Sequence, residues 1–152
     1  MKLIENIKKE LVFLSVDAKD STEVISYLAD KLYENGYVKE TYKNAVIERE
    51  KEFPTGLFMP NGTLAIPHTE SEHVINGAIA VARLNGEVEF RYMGDPSEIV
   101  RTKLVFMLAI DDPSEQVPTL SELMSKFSDE EIIESLLCAE DVDKFLEILE
   151  RN

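Results

Sequence analysis

The run TKLVFMLAI at residues 102–110 constrains this chain more than any other segment. From Leu104 to Ile110 it is apolar without interruption, and it is the most strand-like stretch present. LVFLSV (11–16) reads as a second buried strand, TLAIP (63–67) as a short one ending at Pro67, and GAIAVARL (77–84) as another. GEVEFRYM (86–93) alternates in the manner of a half-exposed strand. Between these lie helical patterns. Asp20 or Ser21 caps a helix that presents Val24, Ile25, Leu28, Ala29 and Leu32 on one face and ends at Gly36. KETYKNAVIEREKEF repeats the helical period through Tyr42, Val46 and Ile47 and is stopped by Pro54. PTGLFMPNG (54–62) holds two prolines and two glycines and reads as a loop. VPTLSELMSKF, DEEIIESLL and DVDKFLEILE read as three closing helices. Strands interleaved with helices at each end predict an α/β sandwich around a small mixed sheet. A length of 152 residues fits one domain, spanning 1–152.

Charge narrows the function classes. The net charge is -14, which opposes nucleic-acid binding and anionic membrane surfaces, since both need a basic face. It permits a basic protein partner. The single cysteine, Cys138, cannot form an internal disulfide, which suits a reducing cytosol; in IIESLLCAE it reads as a core residue. The N-terminus lacks the uninterrupted apolar stretch of a signal peptide, and no run approaches the roughly 18 apolar residues of a membrane span.

Both histidines, His68 and His73, lie in NGTLAIPHTESEHV (61–74). Leu64, Ala65 and Ile66 call for burial, and Pro67 removes a backbone donor, so the strand stops and His68 sits at the sheet rim. Thr69 and Glu72 have capping-box spacing, and a helix turn starting there would aim free N–H groups at the space beside His68. Such groups attract phosphate. Neutral imidazole, with a reference pKa of about 6.5, is a nucleophile near neutral pH, so the pattern suits phosphoryl transfer to nitrogen. A rim histidine with a purely structural role fits the same pattern. A zinc site fits poorly: His68 and His73 are about 140° apart around a helix, with no cysteine near. His73 reads as a solvated helix residue, and Asp111, Asp112 and Glu115 as a solvated acidic loop.

PTGLFMPNGTLAIPHTE resembles the active-site segment of enzyme IIA domains of the fructose–mannitol class, in the bacterial sugar phosphotransferase system. The family pattern is met by Thr55-Gly56, then Gly62, Ala65, Ile66, Pro67 and His68. VIEREKEF resembles the Arg-Glu pair ahead of that turn and brings in Arg49; KLVFMLAI resembles the central strand, and LSELMSKFSDEEIIESLL the closing helices. The resemblance runs over roughly residues 5–150. It implies a three-layer sandwich, with a mixed central sheet and helices on both faces. It implies a phosphohistidine at His68, charged by the phosphocarrier protein HPr and discharged to a cysteine of enzyme IIB, which works with a membrane IIC component. No metal or cofactor is implied, because the group passes between proteins. Arg49 would either steady the phosphoryl oxygens or serve only as an ion-pair partner on an exposed helix, Thr55 would belong to the catalytic turn, and Thr69 is the candidate for a side-chain phosphate contact. The family's second histidine is absent; Gln116 stands about where it would lie, able to hydrogen-bond but not to carry charge. That loss, with PTGL and VFMLAI, resembles the galactitol-type branch. Phe58, Met59 and Pro60 either bury into the core or form an apolar, partner-binding ring around His68. A regulatory paralogue and a non-catalytic binding module of the same fold remain alternatives at this point.

Overall fold

The computed structural model describes residues 3–129 and 131–151. In chain order these form α1 (Leu3–Asn6), β1 (Ile7–Val16), α2 (Ser21–Glu34), α3 (Tyr42–Glu52), β2 (Gly56–Met59), β3 (Gly62–Ala65), β4 (Ala78–Tyr92), β5 (Asp95–Ala109), α4 (Gln116–Phe127), α5 (Ile132–Cys138) and α6 (Val142–Glu150). Glu130, inside one expected helix, lies outside the described residues.

The sheet is mixed. β1 runs parallel to β4, β4 antiparallel to β5, β3 parallel to β5, and β2 and β3 form an antiparallel hairpin. β2 also meets β4, through Gly56 opposite Tyr92, so the sheet curls back on itself there.

Alternation along the two long strands sorts residues into two cores. Ala78, Ala80 and Ala82, with Val105, Met107 and Ala109, face α2 and α3, where Val24, Ile25, Leu28, Leu32, Tyr42 and Val46 cover them. Ile79, Val81, Leu104, Phe106 and Leu108 face the opposite layer, against Leu123, Phe127, Leu136, Phe145 and Leu149 of α4–α6. Each large side chain removed from water in this way contributes about 1.5–3 kcal/mol. The continuous apolar run on β5 is thus explained by cover on both faces, and the expected three-layer α/β sandwich is the observed architecture.

The structure corrects several element boundaries. Residues 54–62 are not a loop, because Gly56–Met59 pair with Gly62–Ala65 around a turn at Pro60 and Asn61. Two glycines allow this hairpin to sit where it does. A Cβ on Gly56 would come 2.6 Å from the Arg91 carbonyl, and Gly62 has φ +158 with Ile133 packed against it. β4 is one strand, not two; where the two expected strands would meet there is only a register shift, between Arg83 and Val88. Cys138 is exposed rather than in the core. α5 buries Ile132, Ile133 and Leu136, which puts residue 138 off the buried face. Arg83 closes the end of that helix, its Nη1 donating to the carbonyls of Leu136 (3.0 Å) and Ala139 (2.7 Å) and its Nε to that of Leu14 on β1 (3.1 Å).

Candidate active site

Beyond β3 the chain stays beside β5, where the Leu108 N–H donates to the Pro67 carbonyl at 3.0 Å. This delivers His68 to the rim, yet the residue is only 6% exposed. Its Nδ1 lies 2.9 Å from the Ile66 carbonyl oxygen. A carbonyl can only accept, so Nδ1 carries the proton and Nε2 keeps its lone pair. Burial holds the imidazole pKa below its ordinary 6.5; the bond to Ile66 opposes this, and the Arg49 charge adds to it. The net effect favours the neutral ring.

Arg49 comes from the last turn of α3. Its Nη1 meets Glu70 Oε1 at 3.2 Å, and its guanidinium lies over the Phe53 ring, 5.1 Å from the centroid. Its Nε is buried without a hydrogen-bond partner among the described residues. Glu70 also accepts from the Thr69 hydroxyl at 2.8 Å, which together with Arg49 keeps its carboxyl below the usual range. At the start of α4, Gln116 Nε2 donates to the Thr69 carbonyl at 3.0 Å. Thr55 is joined to the same strand end, its carbonyl accepting from Ile66 N–H at 3.3 Å.

Arg49, Thr55, His68, Thr69 and Gln116 are thereby brought into one constellation. Phe58 and Met59 are not. In the hairpin register Gly56 pairs with Ala65 and Met59 with Gly62, so those side chains lie toward the tip, on the other side of Ala65 from His68. Phe58 packs on Tyr92 (5.0 Å between centroids) and Met59 against the α4–α6 core. An apolar ring around His68 is ruled out by that register. The expected capping box is absent too: Thr69 spends its hydroxyl on Glu70, and a short 3-10 turn, Ser71–His73, begins after Glu70 with no side-chain cap. His73 ends that 3-10 turn half-buried, and its Nδ1 lies 2.8 Å from the Thr41 hydroxyl. Asp112 caps Ser114, and Asp111 accepts from Gly77 N–H.

Glu50, the second member of the Arg-Glu pair that the resemblance brought in, was given no role of its own. Glu50 is 9% exposed, and it accepts from Thr55 N–H (2.8 Å) and Thr55 Oγ1 (2.7 Å). Burial raises its carboxyl pKa to about 7, against the pull of those two bonds. The signal for it was periodic. Tyr42, Val46 and Glu50 are four apart on the buried stripe of α3, where a charged residue needs a reason.

The family model described as "Phosphoenolpyruvate-dependent sugar phosphotransferase system, EIIA 2" matches residues 5–152. The chain belongs to that family. EIIA domains of this kind are phosphotransferases that work through a phosphohistidine and serve sugar uptake, and the fold described above is theirs. This EIIA chain is 32% identical over 118 residues to the galactitol-specific EIIA component of Escherichia coli strain K12, covering 78% of each. It is 31% identical over 157 residues to the fructose-specific EIIABC component of Bacillus subtilis, covering 100% of this chain and 24% of that longer protein. The solved complex of mannitol enzyme IIA with phosphorylated enzyme IIB from Escherichia coli is similar in structure, with TM-score 0.79 and 27% identity, over 94% of this chain and 96% of that one. Among the described residues of this EIIA domain, no helix is long and apolar enough to cross a membrane.

Proposed function

We propose that His68 Nε2 is the phosphoacceptor of this EIIA domain, charged by phospho-HPr and discharged to a cysteine of a cognate enzyme IIB in the cytoplasm, for uptake of a galactitol-type polyol through a membrane IIC component. The observation that carries this reading is the Nδ1 hydrogen bond to the Ile66 carbonyl, which leaves Nε2 unprotonated in a ring kept neutral by burial. Such a nitrogen needs no general base. Its lone pair attacks phosphorus, the donor's P–N bond breaks, and that electron pair returns to the donor nitrogen. In the second step a cysteine thiolate attacks phosphorus, and the electron pair of the broken P–N bond returns to Nε2. Nδ1 keeps its proton throughout.

Arg49 supports this chemistry with a guanidinium whose Nε has no partner among the described residues and is therefore unspent. A planar fork of donors suits phosphoryl oxygens. Gln116 holds the backbone at Thr69, which makes it an orienting group in place of a second imidazole. The polyol assignment rests on the similarity to the galactitol-specific component. Phe58, half its surface exposed at 51%, remains available to a partner at the hairpin tip, and Met59 is half-buried there.

The test supplies phosphoenolpyruvate, enzyme I and HPr to the purified protein. One acid-labile phosphoryl group is expected, lost in His68→Ala and retained in His73→Ala. Labelling that survives in the His68 variant removes the assignment. Restored galactitol uptake in a strain lacking its own galactitol EIIA supports the polyol, and failure there beside normal phosphorylation moves the assignment to another sugar.

A further inference from the structure

We propose that Glu50 is a positioning residue for the transfer reaction, acting through Thr55 and Ile66 to set the orientation and tautomer of the His68 ring. This deepens the function proposed above and rests on it for the transfer step.

The connection consists of three consecutive hydrogen-bonded links. The Glu50 carboxylate accepts both donors of Thr55, Oε2 from the N–H at 2.8 Å and Oε1 from the hydroxyl at 2.7 Å. A two-point grip fixes a residue's rotation as well as its position. The Thr55 carbonyl then accepts from Ile66 N–H at 3.3 Å. The Ile66 carbonyl in turn receives the His68 Nδ1 proton at 2.9 Å. The carbonyl of the residue between them, Pro67, is occupied by the Leu108 N–H.

Thr55 has little freedom to relax if the grip is lost in part. The next residue, Gly56, is wedged beside the Arg91 carbonyl and Val100, so the turn is held from the β4–β5 side and depends on Glu50 from the α3 side. α3 is itself fastened to the sheet where Tyr42 donates its hydroxyl proton to the Leu108 carbonyl at 2.6 Å. The route from Glu50 to His68 runs through Thr55 and Ile66, so its action is indirect. A buried acid on an otherwise apolar stripe is costly, and burial of a charge is tolerated where its partners fully satisfy it. Here both oxygens accept from Thr55, whose carbonyl helps support the strand end carrying His68.

The experiment compares parent, Glu50→Leu, Glu50→Gln and Thr55→Val by two measurements, with folding checked by thermal unfolding. The first is nitrogen NMR of the imidazole, which reads the His68 tautomer without any phosphoryl donor. The second is transfer from phospho-HPr, resolved into kcat and KM. In the parent a single Nδ1–H tautomer is expected. Glu50→Leu should give a mixture of tautomers and lower kcat about 10- to 100-fold with KM little changed, since a small misplacement of a reacting group costs that much. Glu50→Gln keeps one acceptor and should recover part of both signals. Thr55→Val, which keeps the shape and the backbone donor, should show a smaller loss of the same kind; it decides the matter if Glu50→Leu does not fold. Parent-like tautomer and kcat in a folded Glu50→Leu, or in Thr55→Val where Glu50→Leu unfolds, overturn the proposal, as does a loss confined to KM. If the parent itself accepts no phosphoryl group, the transfer function fails, and the tautomer arm still decides whether Glu50 positions the ring.

Discussion

Removing the charge of Glu50 should change how stability depends on pH, by an amount that can be worked out in advance. In the unfolded chain this carboxyl titrates near its ordinary 4.5, whereas in the fold burial raises it to about 7. Between those values the folded protein holds a proton that the unfolded chain has released. Stability from this group is therefore lost as pH rises, with a slope of about 1.4 kcal/mol per unit. From about pH 5.5, above the precipitation zone near the pI of 4.5, to about pH 8, the parent should lose about 2 kcal/mol from Glu50 alone. Glu50→Gln cannot titrate, so the difference between the two stability curves isolates this residue. Carboxyls held low, such as Glu70, Asp95 and Asp112, are common to both proteins and cancel. The assay is urea unfolding followed by circular dichroism at several pH values across that window. Parallel curves, or a parent that gains stability relative to Glu50→Gln as pH rises, would refute the reasoning and mean that the two Thr55 donors outweigh burial.

Three further outcomes are expected. In an NMR titration His68 should protonate below 6.5, and Arg49→Met should move that midpoint upward, because the guanidinium is one cause of the depression; an unmoved midpoint separates the two side chains. Arg83→Met should cost about 2 kcal/mol in chemical denaturation, since the Leu14, Leu136 and Ala139 carbonyls lose a charged donor together; a loss within error means that water replaces it. Gly56→Ala should destabilise the domain by about 1–3 kcal/mol, because the added carbon meets the Arg91 backbone at 2.6 Å, and an unchanged thermal midpoint would show that the hairpin can shift freely.

What could be read from the sequence divides by the range of the interactions involved. The β5 run and the α2 stripe were legible because their burial is written in a period of their own residues. His68 stood out because Pro67 ends a strand at that point, and because the surrounding segment resembles that of a known family. β2 was hidden since four residues, GLFM, between Pro54 and Pro60 carry no usable period; their strand character comes from partners in β3 and β4. The continuity of β4 past Asn85 was hidden for a similar reason. Asn85 is tied by its side chain to Ser15 and Asp17 at the end of β1, nearly 70 positions back, and so supports a bulge where its local chemistry suggests a turn. The ring expected around His68 failed because proximity in sequence was read as proximity in space, whereas a hairpin carries Met59 away from residue 68.

The acceptor chosen for the His68 Nδ1 proton has a consequence for the energy of the carried group. A main-chain carbonyl neither ionises nor takes a proton, so, unlike a carboxylate, it cannot quench a positive ring. An imidazole phosphorylated on Nε2 that keeps its Nδ1 proton is cationic, and a cationic ring is a ready leaving group. With His68 as acceptor, the free energy received with the phosphoryl group is held in a bond that stays easy to break.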